Sequence, residues 1–113
     1  MIVDWHSHVY PPEIAKKRGW GTDSPFTIEK LLEAHERAGI DLCVVSNTMH
    51  PLKDKSRDEA LSFIKRWNQY AAEIQGKYSD RIVAFTSTIP GAGKEFLREV
   101  ERAIVEYGLK GIF

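Results

Sequence analysis

Apolar and polar positions along the chain switch repeatedly between two periods. Ile2-Val3-Asp4-Trp5-His6 opens with apolar and β-branched residues and reads as a short strand. From Thr27 the spacing becomes helical, with Ile28, Leu31, Leu32, His35 and Ala38 recurring at three and four. Thr27 suits the N-cap, Phe26 a hydrophobic staple onto Leu31, and Gly39 the left-handed stop. Asp41-Leu42-Cys43-Val44-Val45-Ser46 is a compact apolar run without alternation, the pattern of a strand buried on both faces. Ser56 and Glu59 form a capping box ahead of a stripe of Ala60, Leu61, Ile64, Trp67, Ala71, Ile74 and Tyr78, with Gly76 weakening its end. Arg81-Ile82-Val83-Ala84-Phe85-Thr86 is a third strand. Phe96, Leu97, Val100, Ala103, Ile104 and Tyr107 mark a third helix ended by Gly108, and Leu109-Lys110-Gly111-Ile112-Phe113 begins a fourth strand.

The order βαβαβαβ predicts an α/β domain over residues 1–113, with a parallel sheet and right-handed crossovers. Two connections interrupt it. Val9 to about Phe26 holds Pro11-Pro12, the basic run Lys16-Lys17-Arg18 and Gly19-Trp20-Gly21. Asn47 to Lys55 holds His50-Pro51. Connections longer than about 12 residues in a compact domain are usually functional or disordered.

Composition narrows the partners. The 113 residues carry 16 Lys+Arg against 16 Asp+Glu, so the chain has no electrostatic footprint for nucleic acid and no polybasic patch for an anionic membrane. No apolar run approaches the roughly 20 residues of a membrane span. Met1 leads directly into a short run containing Asp4, unlike a signal peptide. The single cysteine, Cys43, fits a reducing compartment. A cytoplasmic protein acting on a small molecule is expected.

The candidate chemistry lies in Asp4-Trp5-His6-Ser7-His8. On a regular strand, residues two apart share a face, so both imidazoles aim one way at the strand's C-terminal end, with Asp4 one step below. Neutral imidazole ligates Zn²⁺ and similar ions, and Asp4 is placed as second-shell support. Trp5 and Val3 are expected to turn towards the covering helices. Ligand sites of parallel α/β proteins lie at this end of the strands.

Asp4-x-His6-x-His8 followed by Tyr10-Pro11 resembles the opening signature of the amidohydrolase superfamily, in the metal-dependent branch that includes aminocarboxymuconate semialdehyde decarboxylase. The resemblance continues through Leu42-Cys43-Val44-Val45, Trp67-Asn68-Gln69-Tyr70, Tyr78-Ser79-Asp80-Arg81-Ile82-Val83-Ala84-Phe85 and Tyr107-Gly108-Leu109-Lys110-Gly111. It implies a TIM-like (β/α)8 barrel with one divalent metal ion at its mouth, zinc foremost, held by His6 and His8. A later histidine and a late aspartate would complete that site. It implies hydrolysis or non-oxidative decarboxylation of a small carboxylic or cyclic substrate. Such a barrel needs about 250 residues, so these 113 are expected to form its first half, with an incomplete active site. The uncovered sheet face should then be apolar, and the chain is expected to need the missing C-terminal half or to assemble as a homo-oligomer. The alternative is a non-catalytic half-barrel acting as an assembling scaffold.

Other residues carry less. His50 could reach the barrel mouth and Trp20 could cap a substrate ring, which makes both candidate substrate contacts; a solvated histidine and a loop anchor are their plainer readings. His35 is expected as a packed helix residue and Cys43 as a buried inert thiol. Lys16, Lys17 and Arg18 read as a solvated charge run. Gly91-Ala92-Gly93-Lys94 lacks phosphate-loop spacing and reads as a turn.

Overall fold

A computed structural model describes residues 1–47 and 55–113. Its elements in chain order are β1 (Val3–His8), α1 (Pro12–Lys17), α2 (Ile28–Ala38), β2 (Leu42–Ser46), α3 (Arg57–Lys77), β3 (Ile82–Thr86), α4 (Lys94–Val105) and β4 (Gly111–Ile112). All strand pairs are parallel and lie in the order β1-β2-β3-β4, the α/β arrangement the periodicity predicts. His50 lies outside the described residues.

Local signals set most boundaries. The Thr27 hydroxyl accepts from the Lys30 amide at 3.3 Å, and Gly39 takes φ 70°, where a side chain would clash with its own backbone. Both halves of the Ser56–Glu59 capping box form. Phe26 turns its ring onto Tyr10 and Trp20, with centroids 5.8 and 4.9 Å away. The helix α1 was not expected. Pro12 starts it with its φ already set, Glu13 complements its first turn, and Lys16 and Lys17 complement its last. Part of the basic run is therefore a helix end. Arg18 continues it by laying its guanidinium over the rings of Tyr10 and Trp20, at 5.6 and 5.2 Å.

Arg66 of α3 clasps Glu13 and ties α1 to the bundle. Hydrogen bonding to Arg66 holds the Glu13 carboxyl below its usual range despite partial burial. A carboxylate with a lowered folded pKa stabilises above its unfolded pKa, near 4, and loses that contribution as pH falls through the folded value. Glu13→Gln should therefore cost at most about 1 kcal/mol at pH 7 for so exposed a pair. The difference in urea midpoint between variant and parent should shrink below about pH 4.

The main core lies between sheet and helices and gathers Ile28 and Leu32 of α2, Cys43 and Val45 of β2, Trp67, Ala71 and Ile74 of α3, and Ile82 and Ala84 of β3. One helix face departs from the pattern. On α4 the buried side chains are Phe96, Glu99 and Ala103, while Leu97 and Ile104 are exposed. The helix is rotated so that Glu99, not Leu97, meets α3, where Asn68 donates to it at 3.0 Å. Apolar exposure also collects along the sheet. Trp5, on one edge strand, is 71% exposed, and Ile112 and Phe113 are exposed at the other sheet edge. Leu42, Val83 and Phe85 are half-buried, while Val44 is buried. The open apolar face thus lies mainly at β1 and β4.

Candidate metal centre

The strand β1 does not run in constant register against β2. Asp4 pairs with Cys43 but Ser7 with Val45, so β1 carries one more residue than β2 over that span. This bulge corrects the expected alternation. Residues paired across parallel strands share a face, so Asp4 and Ser7 sit with Cys43 and Val45 on the helix side. Trp5 accordingly turns to the open face instead of the helices.

Asp4 is consequently not beneath the imidazoles, as regular strand geometry predicts. Its carboxylate accepts from the Ser7 hydroxyl and from His35 Nε2 at 3.0 Å, with the Cys43 thiol at 3.9 Å. Its other oxygen accepts from the His6 amide at 2.9 Å. Asp4 therefore supports the histidine segment through backbone and Ser7, holding the bulge in shape. Burial raises the Asp4 carboxyl pKa, but the bonds from Ser7, His6 and His35 outweigh it and leave it below the usual range. His35, 6% exposed, is the packed helix residue expected, with a specific acceptor added. Burial pushes the Cys43 thiol up to about 11, which keeps it protonated and inert. Asp4, His35 and Cys43 lie with ligand atoms within 4.8 Å of one another, and their mutual hydrogen bonds account for the cluster.

His6 and His8 do come together. Their ring centroids are 4.7 Å apart and their planes 79° apart, at the C-terminal end of β1. Phe113, one residue beyond β4, sets its ring 5.5 Å from each, edge to face. The bulge falls before His8, so His8 pairs with Ser46 at the end of β2. Its Nδ1 lies 3.4 Å from the Ser46 carbonyl and 3.3 Å from the Ser46 hydroxyl. A proton on Nδ1 directed at that carbonyl leaves the Nε2 lone pair available. Burial lowers the His8 pKa against the opposing Ser46 contact, with a smaller contribution from His6 in the same direction as burial, which favours the neutral ring that metal ligation needs.

The donor chemistry of this pair fits one edge of a divalent ion's coordination shell. Among the described residues no third ligand-type side chain groups with them, and catalytic zinc sites usually have three protein ligands. Ser7, Ser46 and Phe113 were missed by the sequence reading. Ser46 alone carried a signal, as the polar residue closing an apolar strand. Trp20 packs edge to face on Tyr10 at 5.1 Å and against Phe26, so the structure places it in a loop anchor. No described helix is long and apolar enough to cross a membrane.

No protein-family model matches the sequence, and no curated protein matches it. Solved structures do. A 2,6-dihydroxybenzoate decarboxylase from Rhizobium superposes with a TM-score of 0.79 at 20% identity, covering 98% of this chain and 37% of that one. An amidohydrolase from Staphylococcus aureus gives 0.79 at 18% identity, covering 98% and 36%. A 5-carboxyvanillate decarboxylase from Novosphingobium aromaticivorans, with bound manganese, gives 0.80 at 20% identity, covering 99% and 41%. The chain thus spans about two-fifths of the length of these structures. At such identities the likeness establishes the fold: a four-stranded parallel α/β unit built like part of the TIM barrels of the amidohydrolase superfamily.

Proposed function

We propose that this chain is the first half of a metal-dependent amidohydrolase-like barrel, with His6 and His8 as two ligands of one divalent ion. The observation that carries this reading is the convergence of the two rings at the C-terminal end of β1. When bound, the ion would lower the pKa of a coordinated water to about 7 or polarise a substrate oxygen. His8 is oriented for ligation by Ser46, and Asp4 fixes the backbone between the ligands. The reaction is hydrolysis or non-oxidative decarboxylation of a small carboxylic or cyclic substrate. Two imidazoles suit zinc, the ion first expected; manganese, which a structural neighbour binds, favours oxygen donors and would depend more on the remaining ligands. The remaining ligands and the catalytic acid or base come from outside these residues. The exposed Trp5, Ile112 and Phe113 are covered either by the remaining barrel strands or by a second copy.

A second reading, a non-catalytic scaffold that assembles through this face, is favoured by the two-ligand limit and by the exposure of Trp5. Metal analysis separates the two. Protein dialysed against zinc or manganese should retain about one ion per assembled site, and the His6→Ala, His8→Ala double variant should retain none while keeping its circular dichroism and its size in solution. Metal-free parent protein with unchanged assembly would establish the scaffold instead.

A further inference from the structure

The helical layer carries a partly open pocket that the histidine pair does not line. It lies between α1, the start of α2 and α3, has a volume of about 440 Å³, and is lined by Tyr10, Pro12, Thr22, Thr27, Glu29 and Tyr70. That volume falls within the roughly 300–1,000 Å³ usual for small-molecule sites. A neighbouring cavity of about 410 Å³ shares Pro12, Thr22 and Thr27 with it and extends to Trp20. The walls are largely apolar, with few polar groups.

Two of those polar groups lack partners among the described residues. Glu29 makes no hydrogen bond or ion pair there. The neighbouring cation, Lys30, is engaged instead by Glu33 at 3.0 Å and Asp23 at 3.8 Å. The Tyr70 ring is buried, at 6% exposure for the residue, while its hydroxyl is not closed off from solvent and has no hydrogen-bond partner among the described residues. A phenol hydroxyl left open on this side can bond to a polar group that enters the space beside it. Burial pushes its pKa up to about 12, with the charge of Glu29 adding to the shift, so the hydroxyl stays protonated and the carboxylate acts on it. The negative charge, the phenol and the aromatic wall together select a cation that also carries an apolar body. The aromatic cluster already engages such a group from the chain itself, the Arg18 guanidinium over Tyr10 and Trp20.

We propose that this cavity is a ligand site separate from the histidine pair, taking a small aromatic amine whose ammonium group meets Glu29 and the Tyr70 hydroxyl while its ring lies against Tyr10 and Pro12.

The probes are phenethylamine, the neutral 2-phenylethanol and the anionic 3-phenylpropionate, titrated into the parent protein and followed by amide and tyrosine NMR shifts. Phenethylamine should saturate with a Kd near 1 mM, or about −4 kcal/mol. Its shifts should centre on Tyr10, Glu29 and Tyr70. The alcohol should bind more weakly and the carboxylate at least tenfold more weakly. Glu29→Gln, a near-isosteric change on an exposed turn, should weaken the amine about three- to fivefold, the range of a partly exposed charge pair, and abolish its preference over the alcohol. Tyr70→Phe should also weaken it, with parental melting temperature confirming the fold. The proposal is overturned if phenethylamine gives no saturable shift at about tenfold that concentration. It is equally overturned if the carboxylate binds as well, or if Glu29→Gln leaves the amine affinity unchanged.

Discussion

Trp67→Ala should destabilise the chain by about 3–5 kcal/mol, the usual cost of truncating a buried tryptophan. Trp67 is fully buried in α3 and stands in the core between α2, β2 and β3. Its indole N–H also donates to the Phe85 carbonyl at 2.9 Å. The substitution therefore opens a void and strips a partly buried carbonyl of its donor. Against a total stability of about 5–15 kcal/mol for a natural domain, such a loss brings the folded state close to its limit. Trp67→Phe separates the two contributions, because it keeps most of the volume and removes only the donor, at about 1–3 kcal/mol. Urea titrations of parent and both variants, followed by far-ultraviolet circular dichroism, read these differences. A Trp67→Ala midpoint within error of the parent would mean that the core is not organised around this ring.

The second large effect is expected at Asn68. This side chain, fully buried, joins three elements: its amide nitrogen donates to Glu99 on α4 at 3.0 Å, and its oxygen accepts from Thr86 at the end of β3 at 2.6 Å. Glu99 is 3% exposed, and its other neighbour, Arg102, stands 3.9 Å away. Asn68→Ala leaves a buried carboxylate and a buried hydroxyl short of partners, at about 3 kcal/mol. Replacing both partners, as Asn68→Leu with Glu99→Met, should recover much of that loss, because no charge is then stranded. A double-mutant cycle in urea gives the coupling directly. If the paired variant is as destabilised as the sum of the single ones, the network is not a unit.

What the sequence made legible was local. The Thr27 cap, the Gly39 stop and the Ser56–Glu59 box are settled by residues within one turn of each other, and all three form. The strand order was readable because helices and strands alternate with short punctuation. The convergence of His6 and His8 was readable as well, because His6, Ser7 and His8 alternate. The strand also carries a bulge that only its pairing with β2 reveals. That bulge displaced two expectations, the face of Trp5 and the position of Asp4. The six-residue α1 was missed because a helix of that length shows less than two turns of periodicity. Glu99 was missed because a charged side chain on an amphipathic helix is normally assigned to solvent, and its partner Asn68 lies 31 positions away.

The extra residue in β1 divides the strand into two stretches with different obligations. Up to Asp4 the chain answers to α2, through His35; from Ser7 onwards it is re-synchronised with β2. Removing one residue between them, Trp5 for instance, would restore unbroken pairing while leaving Asp4 and Ser7 on the helix side and both histidines opposite. The irregularity is therefore not what brings the imidazoles to a common side. What it adds is the indole, a bulky group set at the rim of the sheet, where any neighbouring strand must accommodate it.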